Sequence, residues 1–235
     1  AYRAFRNAAA LFSDLSDEAA SARAMALADG LRAGYARELL NPETGWIAGW
    51  KSRDGRLHDY AFLWINGPAL AFGLLDDGAA ATALHRLEDL RARVGLGSAR
   101  AGFPCNLLPI AEGDHMLGRI QAGGASQPTF ENYTDGGMNG NAGHYLLALS
   151  RYGLHREADR LAAELDEGFA AGLFTGGAGG GQEFLSWEGL RTGYEGTLTI
   201  VFHTLCAIAI HRTSPGVCPA WWPAPASENK NTSAP

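Results

Sequence analysis

Carboxylates, amides, an aromatic ring and close-spaced glycines are concentrated in the stretch Thr129-Phe-Glu-Asn-Tyr-Thr-Asp-Gly-Gly-Met-Asn-Gly-Asn-Ala-Gly-His144. Side chains of these types bind hydroxyl-rich ligands, and glycine lets backbone approach a ligand closely at an entropic cost. The same residues also build ordinary loops. Glu131, Asn132, Tyr133 and Asp135 are read as groups that hold ligand hydroxyls or order the loop. For Gly136 and Gly137 the backbone matters more than any side-chain chemistry.

A second concentration follows at Gln182-Glu-Phe-Leu-Ser-Trp-Glu-Gly189 and Gly193-Tyr-Glu-Gly196. Cleavage of a glycosidic bond needs one carboxylic acid near the leaving oxygen and one carboxylate for water or the anomeric carbon. Glu183, beside Phe184 and Trp187, is placed for the carboxylate task, since apolar surroundings raise a carboxyl pKa and a ring offers a sugar a stacking face. It can equally be a solvated loop acid. Glu188 and Glu195 stand in the same block, with Glu195 also suited to the first turn of the following helix.

A third group is His58-Asp-Tyr-Ala-Phe-Leu-Trp-Ile-Asn-Gly67. Asp59 is its acid, read as a second catalytic carboxylate, a binder of hydroxyls, or a helix N-cap. Trp50, Tyr60, Trp64, Trp187 and Tyr194 are the aromatics expected to line a binding cleft. His144 and His203 fall within helical patterns, where a histidine is more often a packed residue than a catalyst.

These residues need a scaffold, and the intervening sequence reads as helices. Ser16 is placed to cap a helix carrying Ala20, Ala24, Leu27, Leu31, Tyr35 and Leu39 on its apolar positions, stopped by Asn41-Pro-Glu-Thr-Gly45. Asp59 to Leu75 is apolar nearly all round, as in a buried helix, and Pro68 places its start near Asn66. Ala79–Val94 is amphipathic, and Gly95-Leu-Gly97 ends it. Residues 98–140 show little periodicity, a length of loop that compact domains keep for function or support from elsewhere. Asn141–Tyr152 and Leu154–Ala171 form a pair around Gly153. Gly176 to Gly181 is a low-complexity linker, and Tyr194–Arg212 is a further apolar helix. Short strand pairs fit the loops.

Outer amphipathic helix, polar and aromatic loop, inner apolar helix and tight turn thus alternate through about three rounds, the grammar of an all-α, α/α-toroid. Residues 1–222 are read as one such domain, incomplete as it stands, and residues 223–235 as a Pro- and Ser-rich tail.

Three blocks in order give the chain its resemblance to a family. The His58–Gly67 block resembles an Asp-aromatic…Gly-Asn block that opens an inner helix, with Asn66 and Gly67 reversed. Asn132-Tyr-Thr-Asp-Gly-Gly137 resembles a Tyr-x-Asn-Gly-Gly loop, with Asp135 in place of Asn and Met138-Asn139 in place of Trp-Pro. Gln182–Gly189 with Gly193-Tyr-Glu-Gly196 resembles a late Glu-Tyr…Gly block. Over residues 15–212 the chain resembles the C-terminal half of six-hairpin, (α/α)6 glycosidases, nearest the neutral/alkaline invertase and glycogen-debranching clan. The resemblance implies a glycoside hydrolase-like protein in which Glu183 activates water or attacks the sugar. It also implies that the general acid lies in the earlier half, so that a missing N-terminal half or self-association covers the exposed inner helices. Two other readings are a sugar epimerase or isomerase using His58, His144 or His203 for proton transfer, and a non-catalytic carbohydrate-binding remnant.

Composition narrows the remaining classes. Over 235 residues, 19 Lys and Arg against 25 Asp and Glu give a net charge of -6, which argues against a nucleic-acid surface. No apolar run reaches membrane-spanning length, and no signal-like segment precedes Ala1. Cys105, Cys206 and Cys218 have no metal-ligand spacing and read as thiols, leaving the compartment open. No metal or cofactor is expected, and phosphate-loop and nucleophilic-serine signatures are absent. The Asn-x-Ser/Thr matches at Asn132 and Asn231 are of the kind that occurs by chance.

Overall fold

The computed structural model describes residues 1–108, 110–111, 114, 138–139, 142–173, 184–185, 191–192 and 198–214. Helices predominate among them: α1 (Tyr2–Asp14), α2 (Glu18–Leu39), α3 (Leu63–Ala71), α4 (Asp77–Arg93), α5 (Gly143–Arg151), α6 (His155–Ala170) and α7 (Leu198–Thr213). None of these is long and apolar enough to cross a membrane.

The first two helices pack as a hairpin. α1 was not expected, although Tyr2, Phe5 and Ala9 recur at helical spacing and face the core. The cap of α2 is Asp17, whose carboxylate accepts the Ala20 amide at 3.0 Å, and not Ser16. Ser16 instead turns the chain between the helices with a φ of 60°.

α3 is shorter than the apolar run that contains it. It starts at Leu63, and the amides of Leu63 and Trp64 go to the Cys105 carbonyl at 2.7 and 3.4 Å. Pro68 therefore lies inside the helix and not in its first turn. Asp59 is not its N-cap either, since that position belongs to Phe62.

Alternate helices are aligned. Gly67 of α3 lies so close to α5 that an added Cβ would sit 3.0 Å from the Tyr145 amide nitrogen. Further along, Arg151 Nη1 donates to Ala71 O at 2.9 Å and the Tyr152 hydroxyl to Leu70 O at 3.2 Å. Earlier residues of one meet earlier residues of the other and later meet later, so α3 and α5 run parallel. The same holds for α5 and α7. Thr204 Oγ1 accepts the amides of Ala142 and Gly143 at 3.2 and 3.1 Å, and Ser150 meets His211 at the far end at 3.0 Å.

α4 and α6 complete the packing. Buried Leu84, Leu87 and Leu90 of α4 join Leu161 and Leu165 of α6 in one core around Tyr145 and Leu146. Glu88 ties three helices together, accepting from Arg91 at 2.6 Å, Tyr145 at 2.9 Å and Arg160 at 3.1 Å. Burial of the Tyr145 ring, and then the neighbouring Glu88 carboxylate, keep the phenol pKa well above the ordinary value.

Short strands cross the loops. β1 (Trp50–Lys51) pairs antiparallel with β2 (Leu57–His58). β3 (Phe103–Pro104), β4 (Met138–Asn139), β5 (Phe184–Leu185) and β6 (Arg191–Thr192) form one antiparallel sheet in that order. The register pairs Phe103 with Asn139, Met138 with Leu185, and Phe184 with Thr192.

Candidate functional site

Asn66 and Gly67 are structural. Fully buried Asn66 accepts the Ile47 amide and donates to the carbonyls of Ile47 and Phe62, all at 2.9 Å. It thereby pins the 46–49 segment to α3, while Gly67 admits α5.

Asp59 is a hub for the loop it was expected to serve chemically. Oδ2 accepts from Asn41 Nδ2 at 2.9 Å and the Thr44 hydroxyl at 2.8 Å. Oδ1 accepts from Trp46 Nε1 at 2.6 Å and the Ala61 amide at 3.1 Å. A carboxylate offers about four lone-pair directions, and four donors fill them. Asp59 therefore organises the loop that carries it. The segment 41–45, expected only to stop a helix, supplies two of its donors. Ala61, fully buried, is held at a φ of 52°, which costs a non-glycine residue roughly 1–2 kcal/mol.

Next to that turn lies a constellation that sequence reasoning missed. Asp114 Oδ2 accepts from His58 Nδ1 at 2.6 Å, from the Tyr60 hydroxyl, and from Arg56 at 3.4 Å. Its carboxyl is held below the usual range by the Tyr60 hydrogen bond and then by His58. Burial, and then Asp114, push the Tyr60 phenol up. An ionised carboxylate only accepts, so Nδ1 of His58 donates to Asp114, the tautomer in which Nε2 holds the lone pair. His58 is 7% exposed, and its Nε2 is buried without a partner among the described residues.

Aromatics close around it. Trp50 stacks on His58 with centroids 4.9 Å apart and planes 9° from parallel. Trp50, Tyr60 and Phe62 contact one another at 5.9–6.2 Å between centroids. Trp64, at the start of α3, packs against the same cluster, together with buried Cys105, whose thiol pKa is pushed up by burial. Of the expected binding residues, the structure thus brings Trp50, Tyr60 and Trp64 together. A separate cavity of about 690 Å³ is lined by Thr44, Trp46 and the α4 residues Arg86, Asp89 and Arg93, and not by this cluster.

Glu183, Glu131, Asn132, Tyr133, Asp135, Trp187, Glu188, Tyr194 and Glu195 lie outside the described residues. His144 and His203 meet at the seam of α5 and α7, their rings stacked with centroids 4.1 Å apart. Phe72 packs edge-on against His144 at 5.1 Å. Burial, then the neighbouring His203, lower His144 to about 4, and burial lowers His203 as well. Both rings are neutral at pH 7. Among the described residues no group of His, Cys, Asp and Glu could hold a metal ion.

Backbone pairing joins the blocks. The amides of Leu107 and Leu108 return to the Tyr60 carbonyl at 3.2 Å, just after β3. β3 pairs with β4, which precedes α5, and β4 with β5, which precedes α7. One hydrogen-bonded layer therefore links the chain ahead of α3, α5 and α7. Compared with family models, curated proteins and solved structures, the chain matches none.

Proposed function

We propose that the chain is a glycoside hydrolase-like protein of α/α-toroid type that binds carbohydrate in the loops ahead of α3, α5 and α7. The observation that carries this reading is the layer of β3 to β6, because it draws three blocks distant in sequence toward one end of parallel helices. Parallel α3, α5 and α7 alternating with α4 and α6 are what an arc of such a toroid requires. The ring cluster of Trp50, Tyr60 and Trp64 supplies apolar faces for a sugar, and Glu183, one residue before β5, is the catalytic carboxylate of the reading.

Thermal unfolding with a panel of oligosaccharides and methyl glycosides tests it. A ligand at a hundredfold over its Kd adds about 2.7 kcal/mol, a rise of roughly 5–10 °C for a domain of this size. The rise must grow with the logarithm of sugar concentration above Kd, since sugars acting only as osmolytes stabilise in proportion to concentration. A panel giving only the proportional effect contradicts the proposal.

One observation favours the epimerase or isomerase alternative, namely the Asp114–His58 pair with its open lone pair. Solvent deuterium entering a sugar C–H bond would select that chemistry over hydrolysis.

A further inference from the structure

Among the described residues, three buried polar atoms of this cluster have no hydrogen-bond partner: His58 Nε2, the Trp64 Nε1–H and Asn106 Oδ1. They lie on segments bound to one another. Trp64 and Leu63 take the Cys105 carbonyl, Phe62 bridges Asn106, and Phe62 also touches the Trp50 ring that covers His58. Asn106 is fully buried and uses only its amide, on Leu108 O at 2.7 Å. Asn66, equally buried, makes three hydrogen bonds with its side chain. Leaving a buried polar group unpaired costs about 1–3 kcal/mol, so three around one ring cluster call for a ligand that satisfies them.

The chemistry of the three atoms defines that ligand. His58 Nε2 and Asn106 Oδ1 accept, whereas Trp64 Nε1 donates. A carboxylate or phosphate has no proton for the two acceptors and would meet ionised Asp114. A neutral molecule with several hydroxyls both donates and accepts. Resting on the carbohydrate reading above, we infer that the His58–Trp64–Asn106 cluster is a sugar subsite in which His58 Nε2 accepts a ligand hydroxyl. Asp114 and Tyr60 are positioning residues, the first fixing the tautomer that leaves Nε2 open.

The test is a titration of the full chain, labelled with ¹⁵N-histidine, with maltose, sucrose and methyl glucoside, read at the imidazole nitrogens. The subsite predicts a saturable upfield movement of the His58 Nε2 resonance with Nδ1 still protonated. Asp114→Asn, which frees the tautomer, should weaken binding at least about tenfold, and Asn106→Leu should weaken it without moving the tautomer. The titration of the unaltered protein decides the matter even if a variant fails to fold. Sugar binding by calorimetry with His58 Nε2 unmoved would overturn the subsite while leaving the carbohydrate reading intact, and would assign the three atoms to ordered water. Binding of no sugar at all would remove the carbohydrate reading and the subsite with it.

Discussion

Asp59 and Asp114 are two carboxylates 55 positions apart whose surroundings give them different tasks. Asp59 accepts four protein donors and holds a loop, and Asp114 gathers His58, Tyr60 and Arg56 on one oxygen. Removing the first should therefore cost stability. Asp59→Ala is expected to lower the unfolding free energy by about 3 kcal/mol in urea titration, with Asp59→Asn recovering part of it. A loss below about 1 kcal/mol would contradict the hub. His144 gives a second prediction, in pH. Its folded pKa of about 4 lies below the ordinary value of 6.5, so between those values the unfolded chain binds more protons. The contribution is complete above pH 6.5 and is lost as pH falls toward 4. At pH 4.5, wild type should have lost on the order of 2 kcal/mol more than His144→Gln, relative to pH 7. Equal losses would show that the ring is not held neutral.

At the scale of elements, the seams between α3, α5 and α7 depend on glycine. An added Cβ at Gly67 meets Tyr145 backbone, which cannot swing aside, whereas one at Gly143 falls 2.4 Å from His203 Nδ1. Gly67→Ala should cost about 1–3 kcal/mol, seen as a lower denaturant midpoint. Gly143→Ala should cost a similar amount, relieved when His203→Ala is added, so a double-mutant cycle should show coupling of about 1 kcal/mol or more. Additivity would place the strain elsewhere. These seams also mark what the sequence could show. Asp76 and Asp77 before a run of Ala83, Leu84, Leu87 and Leu90 announce α4 by local rules, and Gly153 between two periodic stretches announces α5 and α6. The start of α3 was not legible, because the Cys105 carbonyl that receives its first amides lies about forty residues away. Nor was Asp114, a single acid in an aperiodic run, whose partners His58 and Tyr60 meet it only through long-range folding. His58 was noticed as a histidine, but nothing local showed its tautomer or its burial.

At the scale of the molecule, parallel α3, α5 and α7 line up side by side, with α4 and α6 tied to them through Glu88 and Asp159. α7, last in this row, exposes Phe202 at 67% and Leu205 at 41%, an apolar face of the kind an inner helix keeps for a neighbour. The proposed toroid would set a further helix against that face. The central claim is that the loops ahead of these helices cleave a sugar with Glu183 as the carboxylate. The most direct measurement is turnover of a panel of aryl and natural glycosides by wild type beside Glu183→Gln. Since the resemblance puts the general acid in an earlier half, the account predicts hydrolysis of those aryl glycosides whose leaving groups depart without an acid, reduced about a thousandfold or more by the substitution. Folded wild-type protein that turns over no such aryl glycoside, or Glu183→Gln that retains full activity, would contradict it.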